Sequence, residues 1–130
     1  VQTCALPILG IIFNTDPHDK PGEHWVSCFI NTIYHEPYIY YFDSTGDPMP
    51  TEVKKFSERV MSQAQELNIP LKLIKNDKIE HQQGNTECGI YSLYFITEQV
   101  CDNKTPIYFQ KHPIPDKKME NLRKFYFDLS

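Results

Sequence analysis

Two spacings of apolar residues alternate along the first half of the chain, one typical of strands and one typical of a helix. Runs rich in Ile, Val, Tyr and Phe predict strands at residues 9–14, 25–33 and 38–43. Between residues 51 and 67, apolar residues recur at helical spacing among charged ones. This segment is therefore predicted to form an amphipathic helix that lies on the sheet.

The second half of the chain predicts one short strand and two helices. The strand covers residues 71–74, a mostly buried helix covers 88–101, and a last helix covers 116–127. The last helix carries apolar residues on one side: Met119, Leu122 and Tyr126. This order of strands and helices predicts an α+β fold.

Three tyrosines in the third predicted strand could form a binding stripe: Tyr38, Tyr40 and Tyr41. Successive side chains of a strand point to opposite faces of the sheet. We therefore expect these tyrosines to divide between core and surface packing.

Composition favours one modest domain and argues against two classes of partner. The chain has 130 residues, of which 40% are hydrophobic, and its formal net charge is −4. This hydrophobic content is enough for a core, and the charge gives no basic footprint for nucleic acid. No window approaches a membrane span and no signal peptide is present, so we expect a soluble, intracellular protein in cytoplasm or nucleus.

The start of the chain does not resemble the rest of the sequence. It has no initiating Met, and the first residues lack the strand pattern that begins at residue 9. We expect residues 1–130 to form a single catalytic domain that is truncated at its N-terminus. Residues 1–8 are interpreted as foreign or disordered sequence.

Four cysteines are spread along the chain: Cys4, Cys28, Cys88 and Cys101. They contain no close Cys-x-x-Cys pair, so neither a structural zinc site nor a disulfide framework is expected. Reduced thiols are the default. Cys28 in a strand and Cys101 in the last turn of a helix are predicted to be packing residues.

Cys88 is a candidate nucleophile because it stands where a polar loop enters an apolar helix. Free N–H groups at a helix start favour the thiolate, which is the reactive form of cysteine. Gln82, six positions earlier, could donate a side-chain N–H to an oxyanion while the backbone N–H of Cys88 donates another. The alternative is an ordinary buried core cysteine.

A second group of polar residues supplies the base that a thiol nucleophile needs. His24 precedes one predicted strand and Asp43 follows the next, so their side chains can meet at the ends of neighbouring strands. A base takes the thiol proton, and a carboxylate holds the base in the right tautomer. His81 is a rival base in the same loop as Gln82, and Asp47 is a rival to Asp43 in its turn-forming role.

The order His24-Trp25, Asp43 after an aromatic strand, Gln82, then Cys88-Gly89 opening a helix resembles the ubiquitin-like protease family. That family includes the SUMO-specific proteases, the adenovirus protease and related enzymes of large DNA viruses. The resemblance covers roughly residues 10–105. The viral branch looks nearest, on residues 14–26 and 84–91.

The resemblance implies a role for each matching residue. His24 matches the general base, Asp43 its orienting carboxylate, and Cys88 the nucleophile. Gln82 matches the oxyanion-hole amide; chemistry alone does not separate it from Gln83, but the family spacing does. Trp25 matches the tryptophan that lines a narrow channel for a Gly-Gly segment.

Two glycines near the nucleophile are further candidates for the substrate site. Gly84 and Gly89 suit positions where a substrate chain or a tight turn approaches the backbone closely. A simpler interpretation of Gly84 is a glycine that only turns the loop.

The implied fold is a papain-like one with a small mixed β-sheet flanked by helices and the nucleophile at the start of a central helix. The implied function is a thiol protease that cuts after Gly-Gly, without metal or cofactor. Its substrate would be a ubiquitin-like protein or a viral structural polyprotein, with a host-cytoplasm or virion location in the viral case. We expect a monomer. The alternatives are an inactive module that binds a ubiquitin-like protein and an acyltransferase of the same fold clan.

Overall fold

The computed structural model describes residues 8–15, 24–76 and 78–127. In chain order the elements are β1 (Ile8–Asn14), β2 (Trp25–Asn31), β3 (Tyr38–Phe42), α1 (Thr51–Glu66), β4 (Lys72–Lys75), α2 (Cys88–Val100), α3 (Tyr108–Lys111) and α4 (Asp116–Phe127). Residues 1–7 of the segment interpreted as foreign lie outside the described residues, and Ile8 begins β1. None of the helices in the described ranges combines the length and apolar character needed to cross a bilayer.

The sheet is mixed, as the predicted fold requires. Its strand order is β1-β2-β3-β4, with antiparallel pairs β1/β2 and β2/β3 and a parallel pair β3/β4. Helix α1 connects the two parallel strands, which need a long crossover. The antiparallel β2/β3 pair brings the start of β2 and the end of β3 to one edge of the sheet, and the active-site candidates lie there.

Helices cover both faces of the sheet. On one face, α2, α3 and α4 pack against alternate residues of β3, namely Tyr38, Tyr40 and Phe42. On the other face, α1 packs near Ile39 and Tyr41. All five residues of β3 are therefore buried, and the expectation that its tyrosines divide between core and surface is wrong. The strand is central, so each of its faces meets a helical layer.

One strand ends earlier than predicted, and one short helix was not predicted. Strand β2 ends at Asn31, whose side-chain Oδ1 accepts hydrogen bonds from the backbone N–H groups of Ile33 (3.1 Å) and Tyr34 (3.0 Å). This side-chain turn replaces the strand pairing that was predicted through residue 33. The four-residue helix α3 was not predicted, because a single turn leaves no periodic pattern.

Of the cysteines that the structure describes outside the candidate site, one is buried and one is exposed. Cys28 is fully buried in β2, as predicted, and burial raises its thiol pKa to about 12. Cys101 is exposed, so its predicted packing role is wrong. Helix α2 ends at Val100 and the backbone turns at Asp102, whose φ is 54°, so Cys101 faces solvent beyond the helix.

The turn after β3 contains Gly46, which lies close to the loop that precedes α2. This close approach provides a test of the fold. Gly46 has φ 75°, and a Cβ added there would lie 2.7 Å from the backbone oxygen of Ile79. We expect Gly46→Ala to lower the free energy of unfolding by at least about 1 kcal/mol, since left-handed backbone alone costs a non-glycine residue about 1–2 kcal/mol. Denaturant titration measures the change.

Gly89→Ala is the matched control for this test. Gly89 lies in α2, and an added Cβ would make an ordinary 3.8 Å contact with Cδ1 of Trp25. Alanine is the better helix former, so we expect unchanged or higher stability. Equal stabilities for Gly46→Ala and the unmutated protein would contradict the described turn.

Candidate active site

His24 and Asp43 meet at the sheet edge formed by the start of β2 and the end of β3. Ser27 pairs with Phe42 in the antiparallel register, so the residues before β2 lie beside those after β3. Nε2 of His24 lies 2.8 Å from Oδ1 of Asp43. The predicted meeting of these two side chains is therefore present in the structure.

The Asp43 carboxylate is buried and held in place by its neighbours. Its Oδ1 accepts hydrogen bonds from the backbone N–H (2.9 Å) and the hydroxyl (2.8 Å) of Thr45. The side chain of Asn76 bonds both the N–H and the C=O of Asp43, at 2.8 Å each. These bonds leave the carboxylate oriented toward His24 with little freedom to turn away.

Cys88 is the first residue of α2 and hydrogen-bonds His24 from the helix side. Because Nε2 of His24 is engaged by Asp43, Nδ1 is the ring nitrogen left for the thiol. The hydroxyl of Ser92, one turn into α2, donates to the carbonyl of Trp25 at 3.3 Å. This contact joins the start of the helix to the start of β2 and fixes the approach of Cys88 to His24.

The pKa shifts of the two residues favour an imidazolium and thiolate pair. Hydrogen bonds to Asp43 and then Cys88 outweigh burial and raise the pKa of His24 to about 10. Burial acts to raise the pKa of Cys88, but hydrogen bonds from His24 and from the backbone of Trp25 and Gly89 outweigh it, so its pKa is lowered. A thiolate beside a cation at a helix start is a primed nucleophile.

Gln82 is buried beside the same sheet edge and is held at both ends of its amide. Its Oε1 accepts a 2.7 Å hydrogen bond from the hydroxyl of Ser44, and its Nε2 donates to the carbonyl of Gly84 at 2.9 Å. The backbone N–H groups of His81 and Gln82 both donate to the carbonyl of Ser44, at 2.8 Å each. Ser44 thus ties the Gln82 segment to the residue next to Asp43.

Gln83 and Gly84 lie in a different environment. Both are exposed, and their backbone N–H groups donate to the carboxylate of Asp116, at 3.1 Å and 2.8 Å. The described contacts of Gly84 are thus with Asp116 and Gln82, and its role in binding substrate stays a prediction. The exposure of Gln83 agrees with the choice of Gln82 for the buried amide.

His81, the rival base, is fully engaged elsewhere. Its Nδ1 accepts a hydrogen bond from the N–H of Ile114 at 2.9 Å, so Nε2 carries the proton that it donates to the carbonyl of Phe109, also at 2.9 Å. Burial lowers its pKa. His81 is therefore a neutral structural residue that joins the segment around Gln82 to the segment before α4.

Trp25 and Gly89 lie with Cys88 in the lining of an open pocket of about 420 Å³. Cδ1 of Trp25 is 3.8 Å from the position that a Cβ of Gly89 would occupy. The remaining lining is mostly apolar and includes Leu93 and Phe127. The structure therefore places the predicted channel residue and one of the two glycines beside the thiol.

Among the described residues, a further pocket lies away from the thiol site, and one possible group of metal ligands shares His24 and Asp43 with that site. A pocket of about 470 Å³ beside the edge strand β4 is lined by Lys72, Lys75 and Lys78 and contains neither cysteine nor histidine. Among the described residues, the one group of three metal-type ligands is His24, Asp43 and Asp47, within 4.8 Å of one another. The hydrogen bond between His24 and Asp43 already uses two of its members.

Several residues that hold the site were not singled out from the sequence. Ser44 and Asn76 orient Gln82 and Asp43, and Asp116 and Arg123 bind the loop before Cys88. Ser44 could have been found from the sequence, because it stands directly after Asp43. No sequence pattern marks Asn76, Asp116 or Arg123, because their roles arise only when α4 and the segment after β4 pack beside the loop.

Comparison with known proteins finds a matching family and two similar viral proteases. The model of the Ulp1 protease family, C-terminal catalytic domain, matches residues 4–130. Cysteine protease S273R of a tick isolate of African swine fever virus is 34% identical over 121 residues, which cover 93% of this chain and 44% of that protein. SUMO-1 cysteine protease S273R of a pig isolate is 33% identical over the same share of each chain.

The fold agrees with a solved structure of the same relative. The crystal structure of the selenomethionine form of the African swine fever virus pS273R protease superposes with a TM-score of 0.87 at 32% identity, covering 95% of this chain and 45% of that one. The chain thus spans less than half the length of these relatives. Their source confirms the predicted likeness to enzymes of large DNA viruses. The family match, the shared fold and the relatives above 30% identity together show that this chain belongs to the Ulp1 protease family.

Proposed function

We propose that the chain forms a single cysteine peptidase domain with Cys88 as nucleophile, His24 as general base and acid, and Asp43 as the carboxylate that orients His24. One observation carries this proposal: the ring of His24 hydrogen-bonds both the buried carboxylate of Asp43 and the thiol of Cys88. That arrangement performs nucleophilic catalysis in thiol hydrolases.

The steps follow from the charges of the pair. The Cys88 thiolate attacks the carbonyl carbon of the cleaved bond, and the imidazolium of His24 gives its proton to the leaving amine. The resulting thioester joins Cys88 to the acyl part of the substrate. His24, now neutral, takes a proton from water, which attacks the thioester and releases the acid while Cys88 returns to the thiolate.

Gln82 is proposed to bind the oxyanion that forms in both steps. One N–H of its amide bonds the Gly84 carbonyl, and the second N–H can donate to the oxyanion. The backbone N–H of Cys88, at the start of α2, supplies the other donor. The hydroxyl of Ser44 binds the amide oxygen of Gln82. The Nε2 group is thereby left to face the proposed oxyanion.

The substrate is proposed to be a protein with Gly-Gly before the cleaved bond. The indole of Trp25 and the backbone of Gly89 both line the pocket beside Cys88, and we expect a substrate Cβ at this wall to meet the ring. One relative is named a SUMO-1 cysteine protease, which agrees with a ubiquitin-like substrate. A viral polyprotein with internal Gly-Gly sites presents the same backbone. We propose that the domain acts as a monomer, without nucleic acid or membrane.

Peptides that differ by one methyl group test the proposed specificity. We expect Gly-Gly peptides to be cleaved at least about 10-fold faster, as kcat/KM, than Ala-Gly or Gly-Ala versions, because one added methyl in a tight site shifts discrimination by about 10–200-fold. Trp25→Ala is expected to lower cleavage of Gly-Gly and to reduce this preference. The measurement is kcat/KM for three peptides with both proteins.

Cys88→Ala is the inactive control, and an electrophilic probe separates the alternatives. A ubiquitin-like protein with a C-terminal electrophile should form a covalent adduct at Cys88 if its tail is a substrate. Stable binding without an adduct would indicate the inactive binding module. Equal kcat/KM for the three peptides with the unmutated protein would rule out a Gly-Gly slot.

The adjacent glutamines provide a test of the oxyanion assignment. Gln82→Ala is expected to lower kcat by roughly 10²-fold to 10³-fold, the usual loss for one oxyanion donor. Gln83→Ala is the matched control and should change kcat much less, since its side chain is exposed. Equal losses from the two variants, or a loss confined to Gln83→Ala, would show that the assignment of Gln82 is wrong.

A further inference from the structure

Helix α4 holds the loop that carries Gln82, which we define as the Gln82 loop, residues 82–87. At the near end, the carboxylate of Asp116 accepts hydrogen bonds from the backbone N–H groups of Gln83 (3.1 Å) and Gly84 (2.8 Å). At the far end, the guanidinium of Arg123 donates to the carbonyl of Thr86 at 2.8 Å. Two side chains of one helix therefore bind the loop backbone on either side of its tip.

A continuous chain of hydrogen bonds runs from Asp116 to the proposed oxyanion donor. Asp116 binds the N–H of Gly84, and the C=O of Gly84 accepts the 2.9 Å hydrogen bond from Nε2 of Gln82. The other end of the Gln82 amide is fixed by Ser44. The direction of the free Gln82 N–H therefore depends on where Asp116 holds Gly84.

Arg123 acts on the side of the loop next to the nucleophile. Its guanidinium lies 2.9 Å from Oε2 of Glu87, the residue that precedes Cys88 and stands at the N-cap position of α2. A carboxylate at this place would repel a thiolate, and the paired cation offsets that charge. Arg123 also lies in the pocket beside Cys88 and Trp25.

We propose that Asp116 is a positioning residue of the active site, which orients Gln82 through the backbone of Gly84. The inference rests on the proposed function, in that Gln82 must bind an oxyanion for its orientation to matter in catalysis. It also gives Gly84 a role as the backbone link between α4 and Gln82. The effect of Asp116 should then fall on the chemical step rather than on substrate binding.

The carboxylate of Asp116 also accepts a 2.8 Å hydrogen bond from the hydroxyl of Tyr91 in α2. A purely structural role is therefore the competing explanation. The two explanations predict different readouts. Loss of a structural residue lowers stability and changes every property of the site together. Loss of a positioning residue lowers kcat while leaving KM and the reactivity of the thiol in place.

Asp116→Ala in the full chain tests the proposal, with Glu120→Ala as the control on an exposed position of the same helix. Hydrogen exchange at the amides of Gln83 and Gly84 should be at least about 10-fold faster in Asp116→Ala, since their acceptor is lost. The value of kcat for a Gly-Gly peptide should fall about 10-fold, less than the 10²–10³-fold for removal of an oxyanion donor.

Two further measurements separate positioning from folding. Alkylation of Cys88 by iodoacetamide forms no oxyanion, so its rate should stay within about twofold of the unmutated protein while KM stays unchanged. Asp116→Asn keeps one carbonyl oxygen that can accept from the two amides, and it should restore most of kcat. If Asp116→Ala does not fold, Asp116→Ser replaces it in these measurements. Serine suits a helix start, but its side chain is too short to reach Gly84.

Unchanged hydrogen exchange at Gln83 and Gly84 would overturn the proposal. So would a parallel loss of kcat, alkylation rate and thermal stability, which would indicate a structural role alone. If the unmutated protein cleaved no peptide while Asp116→Ala still released the two amides, the proposed function would fail and the anchoring of the Gln82 loop would stand.

Discussion

The hydrogen bond between His24 and the buried carboxylate of Asp43 is the interaction on which the site depends. It spans the edge of the sheet, at 2.8 Å, because antiparallel pairing sets the residue before β2 beside the residue after β3. The same bond makes the largest contribution to the raised pKa of His24, and the cation beside Cys88 helps lower the pKa of that thiol. The reactivity of the Cys88 thiol, at the start of α2, thus depends on a contact between the ends of two strands.

The turn after β3 carries this constraint to the second part of the site. Asp43 contacts His24, the next residue Ser44 binds both the backbone and the side chain of the Gln82 segment, and Gly46 packs against the backbone of Ile79. The proposed base and the proposed oxyanion donor are therefore fixed by four consecutive residues. A shift of this turn would move both of them at once.

The strands, the long helices and the meeting of His24 with Asp43 and Cys88 could be predicted because each depends on a local pattern. Strand runs and helical spacing are visible in the sequence. His24 directly precedes β2, Asp43 directly follows β3, and Cys88 begins α2. The resemblance to a known family then distinguished Gln82 from Gln83, which local chemistry could not do.

The remainder depends on packing between distant segments. The burial of all of β3 follows from helices on both faces, and the exposure of Cys101 follows from the backbone turn at Asp102. Asn76, Asp116 and Arg123 act on residues far away in the chain, and α3 is a single turn. No periodic pattern marks such contacts, so only the folded chain reveals them.

The pH dependence of Cys88 alkylation tests the imidazolium and thiolate pair most directly. Peptide-resolved mass spectrometry follows Cys88, with exposed Cys101 as an internal reference thiol. The account predicts that Cys88 reacts with a midpoint below the ordinary thiol pKa of about 8.5. His24→Ala should raise this midpoint, because the hydrogen bond and the positive charge of His24, which lower the pKa of Cys88, are then lost. An unchanged midpoint in His24→Ala, or one at or above the ordinary value in the unmutated protein, would contradict the account.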